Sequence, residues 1–331
     1  MELSKKYLYY KTAKKFGEGL LDRRSCLMIL LAEAKLSNRI AVLPKFQLGS
    51  QHNNGNLLES YLIDEYIDIS KINVEYILEE NFADIENEIE SSSILNIENM
   101  PFNYNATQTL IVRNLKDDNF WNLKQTYDVF SLAKLYHGVG VKFIIPLVSA
   151  PQKIKHIGDQ ILNQLEKPII GVHLRRGDRL NKKLDASMEE DNMLRKLNRF
   201  KYNSVFYCTN DSKYNIGDSK FFSSTNFKSI LGDIKDNYLL FAIEMYIVDN
   251  CDISVRTFKD SSPFFSIENK QNKNYSICNY SMHGSNNSFS KIPEELVTCN
   301  YEDYNKDKRK SFVKPRPFVP RLIMTIKRKL K

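Results

Sequence analysis

No run in this 331-residue chain approaches the about 18 consecutive apolar residues that a membrane-spanning helix requires. Cysteine is scarce. The five present, Cys26, Cys208, Cys251, Cys278 and Cys299, are odd in number, form no Cys-X-X-Cys pair and sit beside no histidine at zinc-site spacing. A disulfide scaffold and a structural zinc module are therefore not expected. Cys26, Cys208 and Cys251 lie in apolar surroundings and read as core thiols, whereas Cys278 and Cys299 could pair only in an oxidising compartment. Met1 leads through Lys5 and Lys6 into Tyr7 without the apolar core and cleavage site of a signal peptide, so a cytoplasmic location is expected. The common phosphate-binding fingerprints are missing too. Gly17-Glu18-Gly19 is followed by Asp22 where the third glycine of a dinucleotide loop belongs, and no Gly-Lys-Ser/Thr follows to make a Walker loop.

What is present is a chain of soluble, globular composition, 42% hydrophobic and 27% charged, and long enough for two domains. The net charge of +8 is concentrated at one end. Residues 301–331 carry eleven Lys or Arg against three acidic residues, and the remainder carries thirty-seven of each sign. A neutral body with a basic tail argues against nucleic-acid binding by the body and moves the electrostatic question to the tail. There Pro315, Pro317 and Pro320 prevent a helix before Arg321, after which Leu322, Ile323, Ile326 and Leu330 fall on one helical face among basic neighbours. Such a segment suits an anionic membrane surface, through residues 306–331, and suits equally a terminal helix docked on the body.

The order of apolar runs reads as alternating strands and helices, an α/β class. Residues 7–10 form a first strand, a helix capped near Asp22 runs to Leu36, and 40–43 form a second strand, together a parallel βαβ unit. Residues 77–105 are acidic and Asn-rich and give no clear element. Strands are expected at 109–112 and 141–148 and helices at 120–135 and 152–166. Pro146 and Pro151 mark a boundary, giving a first domain over 1–150, a second over 151–300 and the tail over 301–331. In the second domain the pattern predicts strands at 169–172, 205–208, 221–224 and 253–255. It predicts a helix from the capping box at Ser187 to Phe200, an amphipathic helix over 236–248, and a polar loop over 268–295.

The chain is organised around Ile169 to Arg179. A short apolar strand there runs into His173, Arg175, Arg176 and Asp178, four polar side chains within six residues. In an open α/β sheet the carboxyl ends of strands are where ligands sit, and adjacent arginines offer forked donors to phosphate oxygens. The plain alternative is a solvated loop with structural ion pairs. Two further strand ends carry polar clusters: Thr209-Asn210-Asp211, and Arg256-Thr257-Phe258 continuing to Ser261-Ser262-Pro263-Phe264. Gly17 and Gly19 would let the backbone approach a ligand at a helix N-terminus, or would simply make a tight strand-to-helix turn around an exposed Glu18.

His173-Leu174-Arg175-Arg176-Gly177-Asp178 resembles the His-X-Arg-Arg-X-Asp signature of the fucosyltransferase superfamily, which includes protein O-fucosyltransferases and α-1,6- and bacterial α-1,2-fucosyltransferases. Three more stretches are similar to that superfamily in the same order. Gly17-Glu18-Gly19 with Arg23-Arg24 looks like the first motif of the thrombospondin-repeat type. The strand ending in Thr209 and Asp211 looks like its Thr-Asp strand, and Thr257-Phe258 with Ser261-Ser262 and Phe264 like its fourth motif. Arg256 stands where that motif has glycine, and two extra residues precede the serines.

The resemblance implies a GT-B-like fold, two Rossmann-like domains facing a cleft, with a bacterial-type relative fitting the missing signal peptide best. It implies inverting, metal-independent transfer of fucose from GDP-fucose to a hydroxyl of a glycan, lipid-linked or protein acceptor, with no cofactor. On that pattern Glu18 and Arg175 are catalytic, as general base and as the counter-charge to the departing diphosphate. Gly17, Gly19, His173, Arg176, Asp178, Asp211, Ser261, Ser262 and Phe264 hold the donor, and Asp178 orients the arginine pair. Another nucleotide sugar on the same fold remains open, as does a noncatalytic protein directed by its tail to a membrane or nucleic acid. The enzyme reading places the protein in the cytoplasm or at the inner face of the membrane.

Overall fold

The computed structural model describes residues 5–12, 20–47, 60–61, 63–72, 74–97, 106–115, 149–174, 176, 190–211, 213–232, 234–256, 264–265, 273–276 and 297–298. The helix expected at 120–135, the strand at 141–148 and the tail at 301–331 lie outside them.

The first half is built on β1 (Tyr7–Thr12), α1 (Leu20–Leu36) and β2 (Ile40–Leu43). Tyr7 to Tyr10 are all buried, as expected of a parallel strand covered on both faces. β1 and β2 pair in parallel with Tyr7 opposite Ile40, so the anticipated βαβ unit is present. α1 stops where Asn38 turns to a positive φ of 51°. The Arg39 N–H then reaches the Ala34 carbonyl at 2.9 Å and the Asn38 N–H reaches that of Lys35 at 3.3 Å, a Schellman ending. The buried Arg39 guanidinium goes on to donate to the carbonyls of Ala106 (2.8 Å) and Gln108 (2.9 Å), tying this turn to the entry of the strand that follows them.

A two-stranded antiparallel ribbon, β3 (Phe46–Gln47) with β4 (Ser60–Tyr61), leaves the sheet. The stretch that gave no sequence signal contains β5 (Tyr76–Leu78), α2 (Glu79–Glu88) and β6 (Ile94–Ile97), followed by β7 (Leu110–Leu115). The five main strands lie in the order β5-β2-β1-β7-β6, every pair parallel. Alternation divides the side chains: Leu8, Tyr10, Ala41 and Ile111 join the core beside α1, while Tyr7, Tyr9, Val42 and Leu110 pack with Phe82 of α2.

The second half starts with α3 (Gln152–Leu162), then β8 (Ile169–Leu174), α4 (Glu190–Leu197), β9 (Ser204–Thr209), β10 (Phe221–Phe222) and the single turn α5 (Lys228–Leu231). It ends with α6 (Asn237–Asn250), β11 (Ile253–Arg256), β12 (Lys273–Ser276) and β13 (Val297–Thr298). The sheet order is β10-β9-β8-β11-β12-β13, parallel except for the β13 edge.

Two readings of this half are corrected. The helix at 236–248 is not amphipathic: nine of the fourteen residues of α6 are buried, because it is covered by the sheet on one side and by α3 on another. Its cap is Asp236, whose carboxylate accepts from the N–H groups of Tyr238 (2.8 Å) and Leu239 (3.2 Å). The polar region 268–295 is not all loop, since Lys273–Ser276 pairs in parallel with β11 as β12.

Gly171 sets the distance between α6 and β8. A Cβ there would lie 2.7 Å from the Val248 Cα, so the helix rests directly on the strand. One apolar cluster runs from Leu8, Leu30 and Leu31 in the first half through Ile154 and Ile161 of α3 to Ile243 and Ile247 of α6, joining the two sheet layers.

Candidate functional site

Counted along the chain, the parallel strands of the second sheet lie in the spatial order third, second, first, fourth, fifth. The direction of winding reverses between β8 and β11, whose His173 and Arg256 are register partners. At such a reversal the connections leave on opposite faces and open a crevice beyond the carboxyl ends, which is where ligands bind in doubly wound sheets. The segment beginning at Arg175 follows β8, and the one containing Ser261 and Ser262 follows β11. Thr209 ends β9, the next strand over, opposite Leu174. The three polar clusters picked out in the sequence thus leave three neighbouring strands at the same end.

Of the expected site residues, the structure describes His173, Arg176, Asp211 and Phe264. Gly17, Glu18, Gly19, Arg175, Asp178, Ser261 and Ser262 lie outside the described residues. His173 is 8% exposed, with its side chain on the α6 face of β8 and its ring edge-on to Phe241 at 5.7 Å between centroids. Phe241 in turn meets Phe264 at 6.1 Å, so two of the expected residues are linked through a third that the sequence did not single out.

Arg176 and Asp211 come together on the β9 side. The Arg176 Nε stands 3.7 Å from the Asp211 carboxylate, and its guanidinium carbon is 3.6 Å from the centroid of the Tyr214 ring. At that distance the ring quadrupole holds the cation with about 0.5–2 kcal/mol. Asp211 also shapes its own loop, its carboxylate accepting from the Lys213 N–H (3.3 Å) and its carbonyl from the Tyr214 N–H (3.0 Å). Burial pushes the Tyr214 phenol well above its ordinary pKa, with the negative charge of Glu190 adding to the rise and the Arg176 guanidinium opposing it. The tyrosine therefore stays neutral and works as a flat support for the arginine.

Phe264 is fully buried and packs against Phe265 at 4.7 Å. Its carbonyl accepts from the Nε–H of Arg24, in the first turns of α1, and its ring lies 5.4 Å from the same guanidinium. Two residues important to this arrangement are not identified from sequence alone: Phe241 and Tyr214. Arg24 enters the sequence pattern only as part of the Arg23-Arg24 pair. Tyr214 lies three positions beyond Asp211 in an Asx-type turn, the one local hint available. Among the described residues, no cluster of three or more His, Cys, Asp and Glu could hold a metal ion, and no helix is long and apolar enough to cross a membrane.

No family model matches the chain, and no curated protein matches it. Among solved structures, 49 chains match. POFUT1 in complex with GDP aligns at 12% identity and a TM-score of 0.48, covering 81% of this chain and 94% of that one. The fucosyltransferase NodZ from Bradyrhizobium aligns at 14% identity and a TM-score of 0.48, covering 89% and 99%. NodZ α-1,6-fucosyltransferase soaked with GDP-fucose aligns at 15% and 0.46 over the same shares. At these identities and TM-scores the likeness assigns no activity to this chain. The α/β class and the two sheets, parallel throughout in the first and in all but the β13 edge of the second, rest on the strand register itself.

Proposed function

We propose that this protein is an inverting glycosyltransferase that binds a nucleoside diphosphate sugar, with GDP-fucose as the first candidate donor, at the carboxyl ends of β8 and β11. The observation carrying the proposal is topological. The winding of the second sheet reverses between the strand that leads into Arg175, Arg176 and Asp178 and the strand that leads into Ser261 and Ser262. Forked guanidinium donors on one side and hydroxyls on the other suit a diphosphate. Arg176 is braced by Tyr214 and Asp211, and Arg175 takes the β-phosphate of the departing diphosphate, the role the resemblance implies for it.

In the proposed reaction an acceptor hydroxyl attacks the anomeric carbon from the face opposite the diphosphate. A carbon–oxygen bond forms to the acceptor as the bond to the β-phosphate oxygen breaks. The electron pair leaves with the diphosphate, where Arg175 neutralises the growing charge, and the hydroxyl proton passes to the Glu18 carboxylate. His173, held edge-on by Phe241, orients the donor rather than exchanging protons. Side-chain cations take the place of a metal. The acceptor is a glycan or lipid-linked sugar, and the basic tail at 306–331 brings the enzyme to an anionic membrane surface.

The test is a hydrolysis screen of nucleotide sugars with mass spectrometry of the products, on the full chain in the presence of a chelator. GDP and free fucose released from GDP-fucose, and lost in Arg175→Ala, is the expected result. Release from a different nucleotide sugar alone would retain the reaction and change the donor. Absence of release from every donor, with no binding of the parent diphosphates, would overturn the proposal.

A further inference from the structure

The peptide unit joining Phe264 to Phe265 is held at both ends by buried ionisable side chains from different parts of the chain. Its carbonyl accepts from Arg24, on α1 of the first half. Its N–H donates to the Asp249 carboxylate at 3.0 Å, near the end of α6 in the second half. Arg24 is 9% exposed, and Asp249, Phe264 and Phe265 are 0% exposed. An acid in the last turn of a helix faces the negative end of the helix dipole, so Asp249 is placed against local preference. Burying an arginine and an aspartate is costly unless their hydrogen bonds are met. Here both charges act on a single backbone unit.

That unit has a particular place in the chain. Phe264 follows Ser262 by two residues, and Arg24 follows Glu18 by six. The clamp therefore joins the segment read as the phosphate-binding side of the site to the helix that follows the proposed base. A second contact supports the same seam: the Tyr66 phenol donates to Asp236 at 2.7 Å, and the Tyr66 ring meets Tyr238 edge-on at 6.3 Å.

We infer that Arg24 and Asp249 are positioning residues that lock the 264–265 peptide between the two halves and so fix the distance between the proposed general base and the bound diphosphate. Both act through the 264–265 peptide. The catalytic part of this inference rests on the glycosyltransferase reading; the clamp itself does not. Loss of the clamp would leave the second sheet and its strand ends in place, so donor binding should change little. It would loosen the alignment of the two halves, and a misplacement of about 1 Å in reacting groups can lower a rate by about a hundredfold.

The experiment compares wild type, Arg24→Lys, Arg24→Ala and Asp249→Asn. Amide hydrogen exchange of ligand-free protein reads the clamp directly. In Arg24→Ala the Phe264 carbonyl loses its charge-assisted donor while the Phe265 N–H still faces Asp249, so peptides containing Phe265 should exchange about tenfold faster through local loosening of the clamp, while β8 and β9 keep their protection. Asp249→Asn retains an acceptor oxygen and should show a smaller rise, and Arg24→Lys should lie between wild type and Arg24→Ala. Turnover of the donor that the screen identifies should fall by about ten- to a hundredfold in Arg24→Ala, with the GDP dissociation constant shifting less than about threefold. Added guanidinium ion should restore part of the rate. Unchanged exchange at Phe265 in both Arg24 variants would overturn the clamp. Faster exchange with a normal kcat would overturn its positioning role. If wild type binds no nucleoside diphosphate, the functional reading fails while the exchange data still decide the clamp.

Discussion

Removing one member of the buried ion pair between α1 and β7 should destabilise the protein far more than removing the pair. Arg113 donates to Glu33 through Nε at 2.9 Å and through a terminal nitrogen at 2.6 Å. The two side chains are 2% and 0% exposed. The Tyr10 phenol also donates to Glu33, and the Arg113 guanidinium lies 5.8 Å from the Tyr10 ring. Tyr10 and Arg113 are register partners on β1 and β7, so the three groups pin α1 to the middle of the first sheet.

Arg113→Met deletes two charge-assisted hydrogen bonds, each about 1.5–3 kcal/mol, and leaves a carboxylate in the core. A loss of about 3–5 kcal/mol follows, and Glu33→Leu should cost a similar amount by removing the carboxylate that the buried arginine binds. With Tyr10→Phe added to remove the phenol that donates to Glu33, the double replacement Glu33→Leu/Arg113→Met should come within about 1 kcal/mol of the Tyr10→Phe parent or exceed it in stability. Urea unfolding followed by circular dichroism, arranged as a double-mutant cycle in the Tyr10→Phe background, reads the coupling energy. Single variants that each lose under about 1 kcal/mol, or a double variant that loses the sum of the two, would refute the reasoning.

Two other substitutions probe α6. Gly171→Ala places a Cβ 2.7 Å from the Val248 Cα and 2.9 Å from its carbonyl oxygen, backbone atoms that move only with the helix. A loss of about 1–3 kcal/mol or more is expected by thermal unfolding, with His173 displaced and GDP affinity reduced. Burial pushes the Glu244 carboxyl up to about 7, with a hydrogen bond to Ser224 opposing the rise. Its folded form thus holds a proton that the unfolded chain releases near 4.5, and its contribution to stability falls as pH rises between those values. Glu244→Gln should therefore gain stability over wild type as pH is raised from about 4.5 to about 7, and a constant difference in melting temperature across that range would contradict this.

Much of the architecture was legible because strong local signals agreed with the fold. Continuous apolar runs gave β1, β2, β8, β9 and β11. The expected helix end at Leu36 matches that of α1, and Asp236 marks the start of α6. The misses have physical causes. β5 is three residues long and enters α2 directly, and α2 buries only Phe82 among acidic neighbours, so neither period is expressed. α6 reads as amphipathic in the sequence because period counting cannot tell a helix covered on several sides from one with a solvent face. β12 is Lys-Asn-Tyr-Ser, with no alternation to detect. The candidate site shows the same division. The polar clusters at strand ends were visible, since they follow apolar strands. The support beneath them was not: Arg24 meets Phe264 across 240 positions, and Tyr214 and Phe241 look like ordinary aromatics until Arg176 and His173 are placed on them.

The central claim is that a nucleoside diphosphate sits where the winding reverses between β8 and β11. Calorimetric titration of the full chain with GDP, in chelator and beside an Arg175→Ala variant of the same chain, tests it most directly. One-to-one saturable binding by wild type, weakened more than about tenfold by the substitution, is the predicted result. No saturation up to millimolar GDP, or equal affinity in the two proteins, would contradict it.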